Sequence, residues 1–204
     1  MDFSSLGGGS SSGPIALDLN KSISLDLTKA AGKPLNEVKV SLAWDPVRSG
    51  QDVDLDLSAF ALHNGKVKSV QDVLFYNTPS DSPFLYFASH SSDSRDGSEA
   101  DGDDADEWIQ IDLKQVPADI NRIVFLVTIH EAQSRQQTFG LVRSLVYISD
   151  GEGKRLATYR LSQDYSTDIA IIIGEVQRQG SSWIFKGEGE GKFADLNGLL
   201  SLYV

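Results

Sequence analysis

Apolar and polar residues alternate along most of the chain, and this period of two is the pattern of β-strands with one buried face. The stretch from Ile123 to Ile129 is apolar on both faces, which predicts a central strand. The stretch from Leu141 to Ile148 fits either a strand or a short helix followed by a strand. Further alternating runs begin at Ile15, Ile23, Val38, Val53 and Trp108, and the stretches Ala157–Leu161, Ile169–Val176 and Trp183–Lys186 complete the set of strands. About ten strands separated by turn residues predict a mainly β protein, a β-sandwich of two sheets.

Helical spacing of apolar residues is rare in the chain. It occurs near the C-terminus, where a short helix is expected, and the residues that carry it are Phe193, Leu196, Leu199 and Leu200. Residues 1–13 are rich in Gly and Ser, which predicts a flexible lead-in. We therefore expect one β-sandwich domain, with few short helices, over residues 14–204.

Composition excludes several classes of function. The formal net charge of −11 and the sequence pI of about 4.6 argue against nucleic acid as a partner, because phosphate binding needs a basic surface. The chain has no Cys, which excludes disulfides, thiolate zinc sites and a cysteine nucleophile. Its first residues lack the basic and apolar regions of a secretory signal, and no apolar run is long enough to span a membrane. We expect a cytoplasmic protein.

Acidic residues are concentrated between Asp93 and Glu107, where only Arg95 opposes them. Like charges at this density repel each other, so a folded domain needs a reason to hold them together. A bound Ca²⁺ ion is one reason, because it takes six to eight oxygen ligands, and a disordered, solvated loop is the alternative. The acidic residues are Asp93, Asp96, Glu99, Asp101, Asp103, Asp104, Asp106 and Glu107.

A second acidic pattern alternates with apolar residues from Asp52 to Leu57. On a strand, Val53, Leu55 and Leu57 would face the core and the aspartates the opposite side. Carboxylates on one strand face are roughly 6–7 Å apart at the backbone, so their oxygens can converge on one Ca²⁺ ion. A solvated edge strand that resists aggregation is the alternative interpretation.

These patterns occur within a series of short motifs that resembles the TerD family of tellurium-resistance and stress proteins. The motifs keep the family's order from about residue 15 to the end of the chain. They are Leu42-Ala43-Trp44-Asp45, Asp54 to Phe60, Phe75-Tyr76-Asn77, Gly102-Asp103-Asp104, Val116 to Asp119, Thr128 to Ala132, Phe139-Gly140, Tyr159-Arg160-Leu161 and Gly174-Glu175-Val176.

The resemblance implies a calcium-binding β-sandwich that holds two Ca²⁺ ions in adjacent sites. In the family a glutamate directly follows a pair of aspartates, which corresponds to Asp103-Asp104. Here Ala105-Asp106 separate that pair from Glu107, so the counterpart of the family's glutamate stays open among Asp104, Asp106 and Glu107. Asp45 and Asn77 are either metal ligands or turn residues, and Glu131 is a further candidate ligand. The predicted metal ligands are Asp54, Asp56, Asp93, Asp101, Asp103, Asp104, Asp106 and Glu107.

The expected function is that of a non-enzymatic, calcium-binding stress-response protein that resembles tellurite-resistance TerD proteins. Calcium would order the acidic loop for docking to other proteins of a stress or tellurite-resistance system, or to the inner face of the membrane. The alternative is a metal-dependent hydrolase that uses the same acidic site, with His130 or Glu131 as general base. A histidine at the end of a strand more often has a structural hydrogen-bonding role.

Overall fold

The chain folds into two six-stranded sheets in the part that the structure describes. The structure is a computed structural model that describes residues 15–16, 23–25, 32–33, 35–46, 52–95, 97, 105–161, 165–180 and 182–204. Neighbouring strands are antiparallel except β1 and β10, which are parallel. The predicted mainly β, two-sheet architecture is confirmed.

The first sheet contains six strands. In spatial order they are β1 (Ile15–Ala16), β10 (Arg155–Arg160), β9 (Val142–Asp150), β3 (Glu37–Pro46), β7 (Glu107–Asp112) and β6 (Ala88–His90).

The second sheet also contains six strands. In spatial order they are β2 (Ile23–Leu25), β12 (Ser182–Lys192), β11 (Ala170–Gln179), β8 (Arg122–Ile129), β4 (Leu55–Leu62) and β5 (Val73–Leu74).

Helices are short in the described residues. They comprise α1 (Ala132–Arg135), the predicted C-terminal helix α2 (Leu196–Leu200) and three 3₁₀ turns at Val70–Asp72, Pro83–Tyr86 and Phe139–Leu141. The side chain of Asp195 caps α2 by accepting a hydrogen bond from the Gly198 N–H. The stretch from Leu141 to Ile148 therefore begins in a 3₁₀ turn and continues as β9. None of the helices described is long and apolar enough to cross a bilayer.

The main core lies between the two sheets, and a smaller one lies on the outer face of the second sheet. Strand β8 contributes to both. Phe125 and Val127 pack into the main core, whereas Val124 and Leu126 pack outward under α2, beside the fully buried Leu199. This double packing explains why β8 is apolar on both faces. Burying one leucine side chain such as that of Leu199 contributes about 2 kcal/mol.

Strand β12 extends six residues beyond the predicted end at Lys186, through an alternation of Gly and Glu that carries no apolar signal. Its backbone pairs with β11 at Gly187 and again from Glu190 to Lys192, with a register shift between the two. Gly187 is required there because an added Cβ would lie 2.2 Å from the Tyr159 hydroxyl. Close backbone packing therefore replaces the missing apolar side chains.

Three acidic segments meet at one end of the sandwich because of this topology. Strand β4 begins where β8 ends, with Leu55 opposite Ile129. The segment 91–95 follows β6 and crosses toward the same end. The Ser91 N–H donates to the Trp108 carbonyl at 3.0 Å, which continues the β6–β7 ladder by one residue. The start of β4, the start of β7 and the segment after β6 are thereby brought together.

Candidate metal centre

Three carboxylates converge at this end of the sandwich. Asp54 immediately precedes β4, Asp56 lies within it and Asp93 comes from the segment after β6. Each offers one oxygen, and these oxygens all lie within 4.8 Å of one another. Asp54 and Asp56 are buried, with 8% and 6% of their surface exposed, and Asp93 is half-buried. A rigid strand and a loop thus contribute to one cluster, as the sequence predicts.

Trp44 on β3 organises the backbone around the cluster. Its indole Nε1–H donates to the Val53 carbonyl at 2.9 Å, which fixes the segment that carries Asp54. Its backbone N–H donates to the Asp106 carboxylate at 2.9 Å. Gly97 packs on the Trp44 carbonyl with a φ of +69°, and an added Cβ would lie 2.3 Å from that oxygen. Only glycine fits there without displacing the acidic loop.

Glu107 joins β4 to the segment that carries Asp93. One carboxylate oxygen accepts the Leu57 N–H at 2.7 Å and the other accepts the Ser94 N–H at 3.4 Å. Its side chain is buried at the start of β7. Burial, together with the negative charges of Asp56 and Asp93, raises the pKa of Glu107 to about 9, although the two N–H donors act to lower it. Glu107 therefore belongs electrostatically to the same cluster.

Burial and mutual repulsion dominate the electrostatics of the cluster, although Arg95 pairs with Asp93 at 3.5 Å. Burial raises the pKa of Asp56 to about 7, with Asp54 and Asp93 as further causes. Burial also raises the pKa of Asp54, while His130 lowers it and Asp93 raises it. The Asp54 Oδ1 atom is buried and has no hydrogen-bond partner among the described residues. A buried carboxylate oxygen without a donor is costly, and a cation would remove that cost.

His130 and Tyr76 border the cluster on its open side. The His130 Nδ1 atom lies 3.7 Å from an Asp56 oxygen, and the His130 N–H donates to the Asp54 carbonyl at 2.9 Å. The Tyr76 ring packs edge-on against the imidazole, with the centroids 5.9 Å apart. The Glu131 carboxylate pairs with Arg135 at 3.3 Å and is not among the three carboxylates that converge.

The predicted ligands fall into three groups. Asp54, Asp56 and Asp93 lie together, whereas Asp106 and Glu107 flank them and accept backbone hydrogen bonds. Asp101, Asp103 and Asp104 lie outside the described residues.

The structure also places the two residues that the sequence leaves open between metal ligand and turn residue. Asp45 is exposed on β3 opposite Arg143, and Asn77 is exposed in a turn that the Thr78 N–H closes on the Phe75 carbonyl. The sequence interpretation missed the organising role of Trp44 and the proximity of Tyr76. Its only signal for Trp44 was the motif that contains the tryptophan.

The geometry fits a hard divalent cation. Two oxygens bound to one Ca²⁺ ion at 2.3–2.6 Å lie at most about 5 Å apart, and the 4.8 Å limit of the three carboxylates is compatible with that span. The donor atoms are all carboxylate oxygens, which suits calcium or magnesium better than a softer metal.

The model of the TerD domain matches residues 15–203, nearly the whole chain. The chain belongs to the TerD family. It is 40% identical over 195 residues to the tellurium resistance protein TerD of Serratia marcescens, and the alignment covers 93% of this chain and 97% of that protein. It is also 36% identical over 182 residues to general stress protein 16U of Bacillus subtilis (strain 168), with 87% of this chain and 91% of that protein covered.

A solved TerD-like structure supports the fold alone. It is that of a homologue of telluride resistance protein (TerD) from Streptomyces coelicolor A3(2), with a TM-score of 0.66 and 23% sequence identity. The match covers 80% of this chain and 94% of that structure. This chain is therefore a TerD-type tellurium-resistance or stress protein by family, with the β-sandwich found in that structure.

Proposed function

We propose that this TerD-family protein is a non-enzymatic, cytoplasmic calcium-binding protein of a stress response. The observation that carries the proposal is the cluster of Asp54, Asp56 and Asp93, in which a buried Asp54 oxygen lacks a donor within the described part of the chain. Such a cluster is unfavourable when ionised and becomes favourable when a cation neutralises it. Repulsion between the ionised carboxylates is thus a source of affinity for a cation.

Two Ca²⁺ ions are proposed, held by Asp54, Asp56 and Asp93 together with Glu107, Asp106 and the loop residues Asp101, Asp103 and Asp104. Calcium takes six to eight oxygens, more than three carboxylates normally provide, so the acidic loop is needed to complete the coordination. The ions supply positive charge and draw the loop onto the strand-borne pair. The loop then presents a surface that depends on calcium.

Docking is the proposed consequence of that ordering. The partner is either another protein of a stress or tellurite-resistance system or an anionic membrane surface bridged by calcium. The names of the relatives from Serratia marcescens and Bacillus subtilis support the stress context. Flotation with anionic vesicles, with and without calcium, tests the membrane version, and equal flotation in the two conditions would remove it.

Calorimetric titration of the full chain with calcium tests the proposal itself. We expect saturable binding that Asp54→Asn combined with Asp56→Asn abolishes. The exposed Asp81 provides a control, because Asp81→Asn is the same kind of substitution outside the cluster and removes one of the two charges that the double variant loses. No binding heat and no change in melting temperature at millimolar calcium would contradict the proposal. Full binding by the double variant would contradict the ligand assignment.

A hydrolase is the competing function, and the observation in its favour is His130 at 3.7 Å from Asp56, in position to act as a base. Assay of bis-(p-nitrophenyl) phosphate with calcium, magnesium or manganese separates the two functions. We expect no hydrolysis above the metal-only background. Hydrolysis that His130→Gln abolishes would establish the enzyme instead.

A further inference from the structure

A cleft of about 360 Å³ opens beside the carboxylate cluster, on the outer face of the second sheet. It lies between helix α2, the segment 70–76 and the end of β8. Its volume is in the range of small-molecule binding sites. The calcium proposal does not use this cleft, although Asp56 contributes to both.

The floor and one rim of the cleft are apolar. Val73, Phe75, Leu196 and Leu200 line the floor, between the second sheet and α2. Val70 lies at the rim with 73% of its surface exposed, which is a high value for a β-branched apolar side chain. Apolar surface of this kind favours a ligand with a hydrocarbon body.

Aromatic rings border the polar side of the cleft. Tyr76 is 42% exposed and packs edge-on against both Phe75 and His130. The rings meet at 82° and 78°, so the faces of neighbouring rings point in different directions around one corner. The face of an aromatic ring attracts a cation, most strongly when water is partly excluded.

The charged side chains that line the cleft also favour a cationic ligand. Among the described residues, the lining includes the carboxylates of Asp56, Glu131 and Asp195 and one histidine, but no lysine or arginine. Arg135 pairs with Glu131 but does not itself line the cleft. One oxygen of Asp195 accepts the Gly198 N–H, which fixes its carboxylate at the start of α2. An anionic headgroup would be repelled by this lining, whereas an ammonium group would be attracted.

We propose that this cleft binds a small organic cation in which an ammonium group is attached to an apolar body. The body lies on the floor formed by Val73 and Leu200, and the ammonium group lies at the corner of Tyr76, Glu131 and Asp195. Hydrocarbon, aromatic face and carboxylate each contribute to binding, and the combination of the three gives the selectivity.

Three probes with one six-carbon chain test the selectivity in calcium-free protein, so the result is independent of calcium binding. They are hexyltrimethylammonium, 1-hexanol and hexanoate, each titrated into ¹⁵N-labelled full chain and followed by amide chemical shifts. We expect the cation to cause saturable shifts at Val70, Tyr76, Glu131 and Asn197, with 1-hexanol weaker by at least about threefold and hexanoate not binding. Equal shifts by the cation and 1-hexanol would overturn the proposal, because they would indicate an apolar groove without charge selection. Shifts confined to another part of the chain would also overturn it.

Two variants with matched controls test the assignment of the cleft. Val70→Ser removes apolar rim surface, and Val204→Ser makes the same change at a valine that is 65% exposed outside the cleft. Glu131→Gln removes a lining charge, and Asp81→Asn removes one elsewhere. We expect the cleft variants to weaken binding of hexyltrimethylammonium by about three- to fivefold and the controls to leave it unchanged. Unchanged binding in both cleft variants would refute the assignment.

Discussion

Replacing Asp56 with Asn is expected to change stability in opposite directions with and without calcium. In the calcium-free protein the ionised Asp56 carboxylate is buried beside Asp54 and Asp93, so it opposes folding. Because the pKa of Asp56 is higher in the folded protein than in the unfolded chain, stability falls as pH rises from about 4 to about 7. Asp56→Asn removes this penalty, and it also removes a proposed calcium ligand.

The magnitude follows from the shift in pKa. A rise from 3.8 to about 7 corresponds to about 4 kcal/mol of penalty at pH 8, and to less than half of that at pH 5. The Asn side chain must still find hydrogen-bond partners in a buried position, which offsets part of the gain. We therefore expect the calcium-free variant to be more stable than the wild type by about 1–3 kcal/mol at pH 8.

Urea unfolding followed by circular dichroism measures this change, with EDTA or with millimolar calcium, at pH 5 and pH 8. The expected result is a stabilised variant in EDTA at pH 8, a smaller effect at pH 5, and little or no response to calcium. Asp81→Asn is the control for net charge. A variant that is less stable than the wild type in EDTA at pH 8 would show instead that Asp56 is a structural carboxylate with favourable partners.

Three further predictions concern proton competition, the loop and the outer core. Protons compete with calcium for Asp56 and Glu107, because the pKa values of both carboxyls are raised. The calcium-induced rise in melting temperature should therefore be larger at pH 8 than at pH 5.5, and equal rises would contradict this competition. Gly97→Ala should destabilise the protein by about 1–3 kcal/mol or more and weaken calcium binding in calorimetry. Gly153→Ala is the control, because Gly153 has a φ of +81° but no atom lies near its added Cβ, so only backbone strain is expected. Similar losses of stability in the two variants would exclude the clash with Trp44. Leu199→Ala should lower the free energy of unfolding in urea by about 2–5 kcal/mol. Leu202→Ala is the control at a position 56% exposed and should lower it by less than about 0.5 kcal/mol. A small loss for Leu199→Ala would show that α2 contributes little to the outer core.

Much of the sandwich could be predicted from the sequence, because periodicity reports burial directly. Strand β8 is apolar on both faces because it packs into two cores, and its central position followed from that pattern. The second half of β12 could not be predicted in the same way. Its alternation of Gly and Glu contributes backbone pairing and close packing, and these leave no apolar period in the sequence.

The candidate site was predictable in its components but not in its geometry. Alternation placed Asp54 and Asp56 on one side of a strand, and charge density marked the segment that begins at Asp93. The contact between the two depends on the topology of β4, β6 and β7, which local sequence does not specify. The roles of Trp44 and Glu107 depend on hydrogen bonds between segments distant in the chain, so no pattern of local spacing could reveal them.

A crystal structure of the full chain grown with calcium would show whether the carboxylate cluster binds the ion. We expect anomalous difference density for calcium between Asp54, Asp56 and Asp93, with carboxylate oxygens at about 2.3–2.6 Å from the ion and the acidic loop ordered around it. Crystals saturated with calcium in which these three carboxylates hold only water or protein donors would contradict binding of the ion by this cluster.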